Sequence, residues 1–395
     1  MAFPAYPTTD RQKKLLAIAS ELANTFAKRA NVNDWAGIFP LENYRDLQAS
    51  GYLTLTVPRD FGGWGANLLE VTLAQQQLAQ GDGATALVMS MHLSHVAKLA
   101  ENVTGPNDFF ARLCHAVVED GAIINAAASE PATGSPSRGG RPTTMARRQE
   151  DGSWIITGRK TFTTGSPILS FFIVTCSIED TTNLAPLSAD RGSFLIPRTA
   201  QGLQVKETWN SLGMRGSGSN DLLLDNVHVD ADAFVEAQIP TNPEAQTRLA
   251  AWNFPTTAVY LGIATAAHNE ALAFAHKRKP TSLDKPIATV PHIQEKAARM
   301  ELALLQSRSV LYGIAAQFSE EPDSIPASQF AAAKYLVSNH AIEIVDIAMR
   351  LVGAASLSMD MPLQRYYRDV RAGLQHHPID DAAIAAIGKQ ALEEK

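Results

Sequence analysis

The amino-acid sequence predicts an α+β protein in which a helical block is followed by a β block and then by a second helical block. Three observations carry this. Apolar residues recur at helical spacing over roughly residues 8–118. Short runs rich in β-branched and aromatic residues, punctuated by Gly, Pro, Ser and Asn, fill 121–230. Longer helical runs return from about residue 245. The composition, 45% hydrophobic and 19% charged over 395 residues, is that of an ordinary globular chain with more than one packed unit. With 34 Lys and Arg against 40 Asp and Glu, a net charge of −6 and no block of like charges, nucleic acid and anionic membranes are not expected partners. Two cysteines, Cys114 and Cys176, without a CxxC or a Cys/His cluster, argue against a disulfide framework and a structural zinc site. The start carries no apolar secretory segment and no run approaches a membrane span, so the cytoplasm is the expected location.

In the first block, RQKKLLAIASELANTFAKRA places Leu15, Ile18, Leu22 and Phe26 on one helical face. LLEVTLAQQQLAQ and ATALVMSMHLSHVAKLA follow, separated by the turn-rich VPRDFGGWGAN and by GDG. In the second block SWIITGRKTF, LSFFIVTCSI, GSFLIPR and NDLLLDNVHVD predict an antiparallel β domain. In the third, QEKAARMELALLQSRSVLYGIA aligns Ala297, Met300, Leu304, Leu311 and Ile314. AIEIVDIAMRLVGA does the same with Ile344, Ile347, Ala348 and Leu351. Such wide apolar arcs pack on other helices, in the same chain or in a partner. TNLAPLSAD and TSLDKPIATVP read as loops. Near the end, RYYRDVRAGLQHHPIDD sets His376 and His377 directly before Pro378, which disfavours helix at residue 377 and places the pair at a helix terminus.

Five local sequences occur in order: VPRDFGGWGA (57–66), ASEPATGSP (128–136), GRKTFTTG (158–165), LGMRGSGSNDLLLDNVHV (212–229) and GAASLSMDMPLQRYYRDVR (353–371). Together they resemble the acyl-CoA dehydrogenase superfamily of flavoproteins across nearly the whole chain. The resemblance implies an N-terminal all-α domain over 1–120, a middle β domain over 121–235 and a C-terminal four-helix domain over 236–395. It also implies a homotetramer with FAD or FMN at the domain junction. By the same resemblance Ser129, Gly134 and Ser135 wrap the flavin, although Pro136 stands where the family commonly has Asp. Phe162 and Thr164 lie against its ring, with Phe where dehydrogenases more often carry Trp. Arg278 reaches the pyrophosphate of a neighbouring subunit's flavin, and Gly353 belongs to a diphosphate cradle. In that cradle Arg350 and Ala354 replace the family's Gln and second Gly, which keeps FMN open beside FAD.

A dehydrogenase of this family needs a Glu to remove the proton α to the thioester carbonyl. In most members it lies about nine residues beyond the Arg of the R-D-x-x segment, and nine from Arg368 is His377. The alternative home, at the start of the first long C-terminal helix, falls near Trp252 and Asn253. Both lack an acid. The His-His-Pro segment instead resembles the flavin monooxygenase branch, which oxygenates small molecules with reduced flavin and oxygen. That resemblance makes His377, His376 and His92 the catalytic candidates, His92 lying on a helix that lines the substrate pocket of that branch. The partners it implies are a small-molecule substrate and either a flavin reductase or an electron-transfer flavoprotein. Two other readings stand beside it: an acyl-CoA dehydrogenase using Asp380, Asp381 or His377 as a displaced base, and a non-catalytic flavin- or acyl-CoA-binding protein. For His92 a satisfied core histidine is the plain alternative, and for His377 a helix-end cap.

Overall fold

Thr9 opens the first helix, α1 (Asp10–Ala36), with a reciprocal cap: its side chain accepts from the Gln12 N–H, and Gln12 reaches back to the Thr9 N–H. The helix stops at Gly37, whose φ of 65° is left-handed. Leu15, Leu22 and Phe26 are buried, as their spacing predicts, and Ile18 is half-buried. The computed structural model describes residues 6–102, 108–134, 140–184, 190–235 and 243–393. Within them α2 (Leu41–Ala49), α3 (Leu68–Ala79), α4 (Gly83–Asn102) and α5 (Asp108–Glu119) complete the first helical block. Asn67 and Glu70 repeat the capping box at α3.

The β block is one sheet of β1 (Ile124–Ala127), β2 (Met145–Arg148), β3 (Trp154–Thr163), β4 (Phe171–Glu179), β5 (Arg191–Pro197), β6 (Leu203–Lys206), β7 (Asn220–Val229) and β8 (Phe234–Val235). The order is β6-β7-β3-β2-β4-β5-β8, with β1 also on β4. Most pairs are antiparallel, the arrangement the sequence predicts. Two differ: β1 runs parallel to β4 from Ile124↔Phe171, and β2 runs parallel to it from Met145↔Ser177. Both occupy successive stretches of one β4 edge, because the chain between them loops out and returns to the same edge. That excursion carries the ASEPATGSP segment.

The second helical block contains α6 (Pro243–Ala251), α7 (Phe254–Lys277), α8 (Pro291–Glu320), α9 (Ala327–Val352), α10 (Leu363–Asp369) and α11 (Asp380–Glu393). α7 is the central rod, packed on α3 and α9, while α8 lies on α9. Leu261 and Ile263 of α7 are fully buried, each contributing about 1.5–3 kcal/mol. Gly262 permits the close α3–α7 approach, since a Cβ there would stand 2.3 Å from the Gln76 carbonyl oxygen. Phe26, Leu87, Trp154, Ile263 and Ile344 belong to one apolar cluster, so the three blocks share a core. Among the described residues no helix is long and apolar enough to cross a membrane.

Candidate functional site

Strand β3 breaks its pairing with β7 between Lys160 and Thr163, and at that irregularity Phe162 adopts φ 55°. A non-glycine residue in the left-handed region costs about 1–2 kcal/mol, and bulges of this kind re-aim side chains. Here the phenyl ring is turned outward with 63% of its surface exposed, and its neighbour is Trp209, edge-on at 6.2 Å between centroids. Thr164 follows, buried, with its hydroxyl 3.0 Å from that of Ser219. Ser219 in turn lies 2.8 Å from the Ser217 hydroxyl.

The excursion between β1 and β2 is tied to this strand. The Thr161 N–H donates to the Ser129 carbonyl at 2.9 Å, so Ser129, Phe162 and Thr164 are brought together. Gly134, at φ 68°, exchanges backbone hydrogen bonds with Glu130, and among the described residues nothing lies within 4 Å of where its Cβ would stand. Ser135 lies outside the described residues. Glu130 organises the segment from inside. It is buried and accepts from the Lys160 ammonium at 2.7 Å, the Thr143 N–H at 2.6 Å, the Thr143 hydroxyl at 2.6 Å and the Thr144 N–H at 3.0 Å. Burial pushes its pKa up, but these donors win and hold it far below the usual carboxylate range. Sequence reading assigned Glu130 no part. The available signal was Lys160, a cation inside a strand whose neighbours alternate inward.

His92 is fully buried and bridges two backbones. Its Nε2 stands 3.0 Å from the Leu53 carbonyl oxygen, and its Nδ1 accepts from the Ile124 N–H at 3.2 Å. Burial lowers its pKa to about 4, so the ring is neutral with both nitrogens engaged by backbone. One turn on, His95 is half-buried and bonded to the Asn125 side chain; burial, with Lys98 and His92 nearby, lowers its pKa to about 3. Asn125 donates to the Thr164 carbonyl at 2.8 Å. His95 and Asn125 therefore connect α4 to the strand bearing Phe162, a linkage that sequence spacing does not reveal.

At the chain's other end His376 Nδ1 is in a short hydrogen bond with the Tyr260 hydroxyl on α7. Burial raises the Tyr260 pKa well above its usual value and lowers that of His376 to about 4. Both groups are therefore neutral, and in the tautomer in which the phenol donates to Nδ1 the imidazole carries its proton on Nε2. Gly373 lets the loop close on Tyr260, because a Cβ there would lie 3.1 Å from the ring. His377, half-buried, follows directly. Asp380 accepts from the Asn339 amide at 3.1 Å and lies 3.6 Å from the Lys334 ammonium. Asp381 is exposed in the first turn of α11. Arg278 ends α7, exposed, and Gly353 ends α9 at φ 74° with open space around it. Both are on helix ends rather than on the strand of Phe162 and Thr164. Among the described residues no cluster of His, Cys, Asp or Glu could hold a metal ion.

This arrangement has close counterparts. Residues 9–104, 125–227 and 244–374 match the N-terminal, middle and C-terminal domains of acyl-CoA dehydrogenases. A Bacillus subtilis (strain 168) protein with a provisional acyl-CoA dehydrogenase name, YdbM, is 42% identical over 97% of this chain and 98% of its own. The amino sugar nitrososynthase DnmZ of Streptomyces peucetius is 29% identical over 97% of this chain and 95% of its own. The structure of KijD3 with FMN and a dTDP-linked amino keto sugar superposes with a TM-score of 0.85 at 26% identity, covering 98% of this chain and 95% of that one. With three domain matches in order and a relative alike from end to end, the chain belongs to the acyl-CoA dehydrogenase family of flavin-dependent oxidoreductases.

Proposed function

We propose that this protein is a flavin-dependent monooxygenase acting on a small substrate that is not a CoA thioester. The residues fit a flavin: Phe162 offers an uncovered aromatic face held at a strained backbone, and the Thr164 hydroxyl keeps bonding capacity beyond Ser219. Gly134 leaves its surroundings open for close approach of a ligand. Ser129, Gly134, Phe162 and Thr164 would hold the group, with Gly353 in the cradle for a diphosphate and Arg278 reaching toward the pyrophosphate of a neighbouring subunit's flavin. FMN bound to KijD3 supports this choice beside FAD. When bound and reduced, a flavin supplies two electrons to O2, so that one oxygen atom enters the substrate and the other leaves as water. A flavin reductase, or an electron-transfer flavoprotein, would provide that reduction.

The chain's own residues do the proton work. His376, neutral and backed by Tyr260, gives or takes a proton at Nε2 while the phenol holds its orientation. His377 shares this loop and is the second candidate. His95, bonded to Asn125, ties α4 to β1, and His92 is a strut that positions α4 against the same strand. One observation carries the reading. By the resemblance, the two places where a dehydrogenase keeps its carboxylate fall on His377 and on Trp252–Asn253, and the nearest acid after the loop, Asp380, is bonded to Asn339 and lies near Lys334 on α9. The resemblance to amino sugar nitrososynthases points the same way.

The test supplies the flavin-loaded protein with a reductase, NADH and labelled O2, and screens small aromatic, sulfur and amine compounds. Labelled oxygen in a product is the expected result. Turnover that only releases hydrogen peroxide across the panel would favour the non-catalytic reading.

A further inference from the structure

Helix α4 is buried at every position from Gly83 to Ser90, and then one face opens. Met91, His95, Lys98 and Leu99, spaced four, seven and eight residues from the first, are all partly exposed. Lys98 sits at the outer end of this stripe and donates to the Asn253 Oδ1 at 2.8 Å. Asn253 precedes α7, where an Asn side chain ordinarily caps the helix, yet it makes no cap bond. Its oxygen accepts from the ammonium, and its other polar group is the NH2, a pure donor. Trp252, beside it, is held by its indole N–H on Glu101 at 3.2 Å.

We propose that Lys98 and Asn253 bind the oxyanion, a carboxylate or a phosphate ester, of a substrate whose apolar body lies along Met91 and Leu99. The orientation rests on the flavin reading above. His95, three residues or about 4.5 Å inward along the helix, leads through Asn125 to Thr164. The anion is thus anchored away from the flavin strand, and the opposite end of the substrate meets it. Burial lowers the Lys98 pKa to about 8, so the ammonium is charged at neutral pH and anion binding fades as pH rises through that value. The described charged and titratable groups around it are His92, His95 and Glu101 on α4 and Arg248 on α6, which lies 3.9 Å from Glu101. The two histidines, at about 4 and 3, stay neutral through this window.

The test measures binding of phenylacetate, phenyl phosphate, dTDP and neutral phenylacetamide to the flavin-loaded protein by calorimetry at pH 7 and pH 9, with the flavin spectrum recorded separately. At least one oxyanion probe is expected to bind ten-fold or more tighter than the amide at pH 7 and to lose about ten-fold at pH 9. Which probe wins distinguishes carboxylate from phosphate. Lys98→Met should abolish the preference while leaving amide binding and flavin retention intact, and Lys98→Arg should restore part of it. If Lys98→Met does not fold, Asn253→Leu is the second variant and should weaken the same preference. No preference for any oxyanion, no binding of any probe, or a preference that survives in the variants overturns the proposal. Loss of flavin by the wild-type protein would count against the flavin reading alone, because anion preference is read independently of the spectrum.

Discussion

At Phe162 a phenyl ring sits in the left-handed region with most of its surface bare, an unfavourable arrangement in the free protein. A bound aromatic ring would cover it. Phe162→Gly should therefore relieve backbone strain and leave the melting temperature unchanged or higher, while weakening flavin affinity about ten-fold, as read by the fluorescence of released flavin. Glu130 is the opposite case, a residue the fold itself requires. Glu130→Gln leaves the Lys160 ammonium buried without its counter-charge, a loss of about 3–5 kcal/mol, measurable by denaturant unfolding. Its folded pKa is depressed, so its contribution is present above the unfolded carboxylate value and is lost as pH falls below it. GRKTFTTG and ASEPATGSP stood out in the sequence because of their resemblance to family segments, and the structure ties the two together through the Thr161 N–H and the Ser129 carbonyl. The Lys160–Glu130 pair did not stand out, since its partners are thirty residues apart and a Glu in a turn ordinarily faces solvent.

At the scale of elements, the proposed function places its proton-handling groups on the loop after α10. Sequence reading favoured His377 over His376, because adjacent residues at a helix terminus point different ways and the count from Arg368 fell on His377. The geometry gives His376 a fixed partner, and that partner, Tyr260, lies 116 residues away on another helix. No local pattern could disclose it. Tyr260→Phe and His376→Gln are expected to raise hydrogen peroxide released per O2 consumed and to lower product formation about 100-fold for His376→Gln, the scale of lost proton transfer. Tyr260→Phe should have the smaller effect, and flavin retention should not change in either. An unchanged ratio in both would mark the pair as structural.

Across the whole molecule the three blocks meet at one buried charged junction. Arg368 of α10 binds Asp34 of α1 through both terminal guanidinium nitrogens and donates to the Leu212 carbonyl at 2.9 Å. Asp369 accepts from the Met214 N–H at 2.6 Å, and Arg365 lies 4.0 Å from both Asp82 and Asp369. Gly213 makes this meeting possible, as a Cβ there would stand 2.2 Å from the Arg368 carbonyl oxygen. Burial pushes the Asp369 carboxyl up to about 7 despite Arg365. A folded pKa above the unfolded one makes a contribution that is complete below the unfolded value and lost as pH rises through about 7. Asp369→Asn should accordingly flatten the fall in melting temperature between pH 5 and pH 8. The order of blocks was legible because helical and strand periods are local. The junction and the parallel pairing on β4 were not, because both depend on where long excursions return. Leu302 and Leu305 on α8 are exposed, which makes them the positions at which to test the expected assembly of subunits. Leu302→Glu with Leu305→Glu should shift the light-scattering mass to smaller species.

The central claim is that imidazole chemistry has replaced α-proton abstraction from a thioester. The most direct measurement mixes the flavin-loaded protein, without oxygen, with short, long and branched acyl-CoA thioesters and follows the visible flavin absorbance. The account predicts an unchanged spectrum with every thioester. Rapid bleaching by any of them would contradict it.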